Sequence, residues 1–214
     1  MLHYPKIPGS RNCPNGPCIA FEKYDGTNLH WDWDRDFGFH AFGTRRDAFN
    51  LTPEGIAKFV AAHPNLKGCV EVFQATLASA LEAILGGHAN YQAFTSAKVF
   101  TEYLGPNSFA GLHKINDPMT LVLIDVLVEP FGMVGPEPFV ADFGHLQSAR
   151  VVFKGKLTGK FAEEVRTGKF GVTEGVVCKG GKGGSDFWIV KIKTNAYMQK
   201  LKQAFGDKWE DYWE

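Results

Sequence analysis

Apolar positions first gather at residues 19–24, IAFEKY, and the run stops at Asp25-Gly26. NLHWDWD at 28–34 then sets aromatic and aliphatic side chains against polar ones at every second position. FGFHAFG at 37–43 follows across the turn RDFG. Alternation with period two marks half-buried strands, so residues 18–49 are expected to be strands joined by hairpins. Thr52-Pro53-Glu54 supplies a capping hydroxyl, a first-turn proline and a first-turn acid. It predicts a helix to about His63, where Pro64 stops it. A second helix is expected over 75–85, closed by Gly86-Gly87. Strand patterns return in AKVFTEYLG (97–105) and in MTLVLIDVLV (119–128), an apolar run broken by Asp125. Short helices are expected at 141–150 and 159–166. TEGVVCKG (173–180) and DFWIVKIKT (186–194) read as late strands around the glycine-rich loop GGKGGSD, and a polar-aromatic helix closes the chain at about 195–214. Helices interspersed among mainly antiparallel strands give an α+β class.

Composition narrows the picture without deciding it. A chain of 214 residues with 44% hydrophobic positions can bury a core of its own. Eighteen phenylalanines and five tryptophans suit a sheet-rich core with aromatic anchors. The net charge is zero, so a polyanionic partner would have to be met by a local patch rather than by the whole surface. No apolar stretch approaches a membrane span, and the N-terminus has no apolar core of the signal-peptide kind; a cytoplasmic protein without membrane partners is expected. Cys13 and Cys18 bracket CPNGPC, a spacing that invites a zinc site completed by histidines such as His3 or His40, but without a second cysteine pair a structural turn with free thiols is the better reading.

Lys23-Tyr24-Asp25-Gly26 says little alone, because K-x-D-G arises by chance in roughly one chain in twenty of this length. Read by itself it is a surface turn as readily as a lysine presented at a strand end. Its company changes the reading. Thr44-Arg45, Glu102 in FTEYLG, Asp125 in LVLIDV, Glu174 to Lys179 in EGVVCK, and Lys191-Ile192-Lys193 follow in that order. The series resembles the covalent nucleotidyltransferase superfamily of ATP-dependent ligases and mRNA capping enzymes. The extended form EKYDGTN, with Asn28 five residues past the lysine, is most similar to the bacteriophage RNA ligase 2 family.

The resemblance covers Phe21 to about Tyr197 and implies one nucleotidyltransferase (ATP-grasp-like) domain over 1–214, with no OB-fold. It implies an ATP-dependent polynucleotide ligase, an RNA ligase first of all, acting with Mg²⁺, for which Mn²⁺ can substitute. Lys23 would be the nucleophile that takes AMP from ATP. Lys191 and Lys193 would bind the α-phosphate and, as nearby cations, favour the uncharged amine that attack requires. Asp25, Glu102 and Glu174 would collect the metal, with Glu102 also near the ribose and Glu174 in the nucleotide site. Gly26 would let backbone approach the nucleotide. Arg45, or Arg46 one residue on, would contact nucleotide and phosphate. Glu22 would accept from the adenine amino group, Lys179 would be a further phosphate contact, and Asn28 would serve strand joining.

Two departures stand out. Asp25 occupies a slot that commonly holds histidine in the phage relatives and aspartate in DNA ligases and capping enzymes. Leu123 and Ile124 stand where the family often stacks an aromatic ring on the purine. A DNA ligase core, a GTP-dependent guanylyltransferase and a non-catalytic nucleotide- or nucleic-acid-binding module are therefore the rival readings. The expected partners are ATP, RNA or a nicked RNA-containing duplex, and a separate clamp protein where one is needed.

Overall fold

The computed structural model of the protein describes residues 4–12, 14, 16–105 and 116–212. His3 and Cys13, named above as zinc ligands, lie outside the described residues, as do the last two positions of the expected C-terminal helix. In chain order the strands and helices are β1 (Pro17–Lys23), β2 (Thr27–Asp34), β3 (Gly38–Thr44), β4 (Phe49–Asn50), α1 (Pro53–Ala62), α2 (Cys69–Thr76), α3 (Ala78–Gly87), β5 (Ser96–Leu104), β6 (Thr120–Glu129), β7 (Gly132–Met133), α4 (Pro136–Phe143), β8 (Val151–Lys156), α5 (Gly159–Arg166), β9 (Gly175–Gly180), β10 (Trp188–Lys193) and α6 (Asn195–Phe205). Every strand pairing in the two sheets is antiparallel, so the expected α+β class with flanking helices holds.

The chain divides into two units. Unit 1 comprises Met1–Tyr4, Gly26–Val134 and Pro138–Ser148. Its sheet runs β4-β3-β2-β5-β6-β7. The alternation of β2 sorts its two faces. Leu29, Trp31 and Trp33 are buried on one side, where the Trp31 ring stacks on Phe73 of α2 at 3.8 Å and on Phe42 of β3 at 5.6 Å. The indole N–H of Trp31 donates to the Thr101 hydroxyl at 2.9 Å, so the buried ring keeps its polar atom satisfied. The other face carries Asn28, His30 and Asp32, opposite Glu102, Phe100 and Lys98 of β5. Asp32 and Lys98 form an ion pair there.

Unit 2 comprises Pro5–Asp25, Gly135–Glu137 and Ala149–Glu214, with the sheet order β10-β9-β1-β8. Cys18 and Ala20 of β1, Val176 and Cys178 of β9, and Val190 and Ile192 of β10 share one face and pack on Phe161, Ala162 and Val165 of α5. Thr158 starts α5 by accepting from the Phe161 N–H at 3.1 Å, as its position before the amphipathic run leads one to expect. Cys18, Cys69 and Cys178 are buried cysteines outside any disulfide, and Cys18 is a core side chain; His40 is exposed.

Several elements differ from expectation. The helix expected at 75–85 is two helices broken at Leu77, the first beginning at Cys69. The helix expected at 141–150 lies upstream, at Pro136–Phe143, where both prolines sit in the first turn and need no N–H donor. Residues 144–148 turn instead, and Gln147 accepts from the Leu123 N–H at 2.8 Å. β8 was not anticipated at all. At the chain's end α6 stops at Phe205 and a 3-10 stretch continues over Gly206–Tyr212.

Candidate active site

The register of unit 2 brings together lysines from separate strands. Lys23 of β1 and Lys193 of β10 are both paired with Gly175 of β9, so the three stand in one row across the sheet. In the next row Phe21 and Lys191 flank Val177, and in the third Ile19 and Ile189 flank Lys179. Directly paired residues point to the same face. Lys23, Lys179, Lys191 and Lys193 therefore share the face opposite the α5 core. Gly175 is required in its row, since a β-carbon there would fall on the Ile192 carbonyl oxygen.

Glu174, the residue before that glycine, collects both end lysines. Its Oε1 lies 2.9 Å from Lys23 Nζ and 3.6 Å from Lys193 Nζ. Two ammonium groups on one carboxylate leave a net positive charge, which suits a phosphate. Burial brings the Lys193 ammonium below its ordinary pKa; Glu174 opposes that shift and the charge on Lys23 adds to it. Asp25 is buried, and its carboxyl is raised to about 7, first by burial and then by the negative charge of Glu174. Asp25 Oδ1 accepts from the Tyr197 hydroxyl at 3.2 Å, while Asp25 Oδ2 and Glu174 Oε2 have no hydrogen-bond partner among the described residues.

Those two orphaned, buried carboxylate oxygens fit a hard divalent cation, which prefers oxygen donors and keeps several waters. Among the described residues no three His, Cys, Asp or Glu side chains gather as a ready-made metal cluster. The donor set here is thus partial and would be completed by water or substrate oxygens.

The remaining candidates of unit 2 are less exposed to a ligand. Glu22 is engaged by Arg150, whose Nε donates to Glu22 Oε2 at 2.8 Å. Lys179 is buried with its ammonium 4.7 Å from the centre of the Phe21 ring, a cation–π contact.

In unit 1 the Gly26 N–H donates to Glu102 Oε1 at 3.1 Å, and a β-carbon on Gly26 would collide with the Tyr103 carbonyl oxygen. Asn28 is the direct cross-strand partner of Glu102, and its Nδ2 is buried without a partner among the described residues. Arg45 and Arg46 are exposed on a tight turn. The Thr44 hydroxyl donates to Asp47 at 2.6 Å, and His63 Nε2 meets the other Asp47 oxygen at 2.6 Å. Asp125 accepts from the Tyr4 hydroxyl at 2.5 Å. Burial and then the charge of Asp125 hold the Tyr4 phenol well above its ordinary pKa. Beside Gly26 and Thr27 lies a cleft of about 290 Å³ walled by His63, Asn65 and Tyr103.

The zero net charge of the chain hides a segregation. Unit 2 holds sixteen Lys and Arg against eleven Asp and Glu, and unit 1 seven against twelve. The excess of cations lies in the unit that carries Lys23.

No family model matches the chain, and no curated protein does. Solved structures match it over almost its whole length. An archaeal ATP-dependent RNA ligase, form 2, aligns with a TM-score of 0.61 and 14% identity over 97% of this chain and 52% of that one. Form 1 of the archaeal ligase gives 0.58 at 15% identity, over 99% and 55%. A mutant RNA ligase of Naegleria gruberi with ATP and Mn gives 0.57 at 16% identity, over 94% and 58%. The fold is that of the ATP-dependent RNA ligases. The chain spans a little over half the length of these three structures. This ligase fold is the one that the ordered motifs from EKYDGTN to KIK resemble.

Within the ligase fold, several polar residues escaped the sequence reading. Tyr197, Arg150, Tyr4, Asp47 and His63 each hold a candidate residue or its loop. Only Tyr197 left a trace in the sequence, because it stands three positions after the capping Thr194 and so faces back over the first turn.

Proposed function

We propose that the protein is an ATP-dependent polynucleotide ligase, an RNA ligase first of all, that works through a lysyl-AMP on Lys23. The observation that carries this reading is the row Lys23–Gly175–Lys193 gathered on Glu174, next to the buried carboxyl of Asp25. Lys23 Nζ attacks the α-phosphorus of ATP, the bond to the β-phosphate oxygen breaks, and pyrophosphate leaves with that electron pair. The attacking amine must have lost its proton first. Lys193, with Lys191 in the next row, meets the charge that grows on the α-phosphate oxygens. Asp25 and Glu174 would hold Mg²⁺, or Mn²⁺ in its place, and the cation would neutralise phosphate charge. Glu102 would share in the metal and ribose contacts.

The nucleotide would be read by Arg45 and Gly26, with Glu22 toward the adenine amino group and Lys179 as a further phosphate contact. Asn28 would act in the later steps, when AMP passes to a 5′-phosphate and a 3′-OH displaces it. The positive excess of unit 2 favours a phosphodiester backbone, with affinity falling steeply as salt rises. A separate clamp protein would add to that affinity.

The test is sealing of a nicked duplex by the purified protein with ATP and Mg²⁺, followed on a denaturing gel. RNA, DNA and hybrid nicks are run in parallel. Joining of the RNA-containing nick by wild type and not by Lys23→Ala supports the reading. Exclusive joining of the DNA nick moves the assignment to a DNA ligase core, and no joining of any nick counts against a ligase that acts alone.

A further inference from the structure

α6 is stitched to the residues around Lys23 more closely than a trailing helix needs to be. The Thr194 N–H donates to the Glu174 carbonyl at 2.9 Å, and its hydroxyl donates to the Thr173 carbonyl at 2.8 Å. The same hydroxyl accepts from the Tyr197 N–H at 3.1 Å, fixing the first turn of the helix. Tyr197 is buried there. Its hydroxyl meets Asp25 Oδ1 at 3.2 Å, and the centre of its ring lies 5.1 Å from Lys193 Nζ. One side chain thus touches the acid two residues beyond Lys23 and the lysine at the end of β10. The segment that carries it is tied to Glu174.

The consequence concerns which oxygen of Asp25 is available. A carboxylate with both oxygens free can turn about its last bond and present either. Here Oδ1 is taken by a phenol held in place by the helix cap, and Oδ2 has no partner. We propose that Tyr197 is a positioning residue that pins Asp25 by Oδ1 and so keeps Oδ2 aimed for a divalent cation. The inference rests on the reading of Asp25 and Glu174 as metal holders given above. Tyr197 touches neither nucleotide nor metal in this role; it acts through Asp25. The contact of its ring with Lys193 keeps the helix seated when the hydroxyl is removed, because a phenyl face still receives the ammonium.

The experiment is Mn²⁺ binding followed by the loss of the free-ion EPR signal, on wild type and Tyr197→Phe, without nucleotide. Mn²⁺ is expected to bind Tyr197→Phe about tenfold more weakly, the loss of one oriented charge-assisted hydrogen bond. In an adenylylation assay the Mg²⁺ concentration for half-maximal rate rises by a similar factor, while the rate at saturating Mg²⁺ changes little. A merely structural tyrosine would lower the saturating rate or leave Mn²⁺ binding alone. Equal or tighter Mn²⁺ binding by Tyr197→Phe overturns the proposal, and so does a wild type that binds no Mn²⁺. A wild type that binds Mn²⁺ but forms no lysyl-AMP defeats the proposed function and leaves this inference to the EPR result. Should Tyr197→Phe fail to fold, Thr194→Ala carries the same test. It loosens the turn that presents Tyr197, and unchanged Mn²⁺ affinity in it overturns the proposal.

Discussion

Lys23 and Glu174 form an ion pair at 2.9 Å in which the lysine side chain is 21% exposed and the glutamate 4%. The glutamate also holds Lys193, whose side chain is 8% exposed, so one buried acid restrains two cations of neighbouring strands. Removing the acid leaves two ammonium groups facing each other with little water to screen them. Breaking a buried pair from one side costs about 3–5 kcal/mol. Glu174→Gln is expected to lose stability on that scale in urea denaturation. Lys23→Ala in the same background should return part of it, because it removes one of the stranded charges. Additive losses in the two variants would mean the pair is not coupled.

Lys193 isolates the electrostatic contribution from nucleophilic chemistry. Lys193→Met keeps an unbranched side chain over the Tyr197 ring and deletes only the charge. The rate of lysyl-AMP formation should fall by about 100-fold or more, the scale of losing one group that stabilises transition-state charge. The melting temperature should move little. A rate within a fewfold of wild type would assign the phosphate to other residues.

Asp25 makes stability depend on pH in a direction opposite to that of most carboxylates. Its folded pKa of about 7 lies above the ordinary 3.8, so the folded protein holds the proton more tightly than the unfolded chain. The stability this lends is fully present below about pH 4 and is lost as pH rises through about 7. In buffer with EDTA, chemical denaturation at about pH 5 and pH 8 should differ by about 2–3 kcal/mol more in wild type than in Asp25→Asn. Divalent cation should restore wild-type stability at the higher pH. An Asp25→Asn profile parallel to wild type would contradict the buried, strained acid.

Much of this was legible in the residues, and the reasons for the gaps are local. Clean alternation gave β2 and β3, and capping chemistry gave α1, because in each the side chains themselves specify the element. The candidate lysines were named from the resemblance of the ordered motifs, since period two alone shows only that Lys191 and Lys193 share a face; pairing with Gly175 is what sets Lys193 level with Lys23. VVFKGK shows no such alternation, and β8 is an edge strand whose partner on one side, β1, lies more than a hundred residues earlier in the chain. CVEVFQ mixes β-branched residues into what is a helix, and its burial against Trp31 outweighs that propensity. Arg150 and Tyr4 carry no local signal, since their partners Glu22 and Asp125 are 128 and 121 positions away.

Asn28 separates the first step from the later ones. Its amide nitrogen is buried without a partner among the described residues, opposite Glu102 on β5. In Asn28→Ala the lysyl-AMP should form at close to the wild-type rate, while sealing of a nicked RNA duplex falls by about tenfold or more, the loss of one buried hydrogen-bonding group. Equal losses in both assays would place Asn28 in the nucleotide site instead.

The central claim is that Lys23 becomes covalently adenylylated. Intact-mass spectrometry of wild type and Lys23→Ala, each incubated with Mg²⁺ and either ATP or GTP, tests it most directly. The account predicts a gain of one AMP on wild type with ATP alone, and none on the variant. An adduct with GTP would redirect the chemistry to guanylyl transfer. The absence of any adduct, or an adduct that persists in Lys23→Ala, would contradict it.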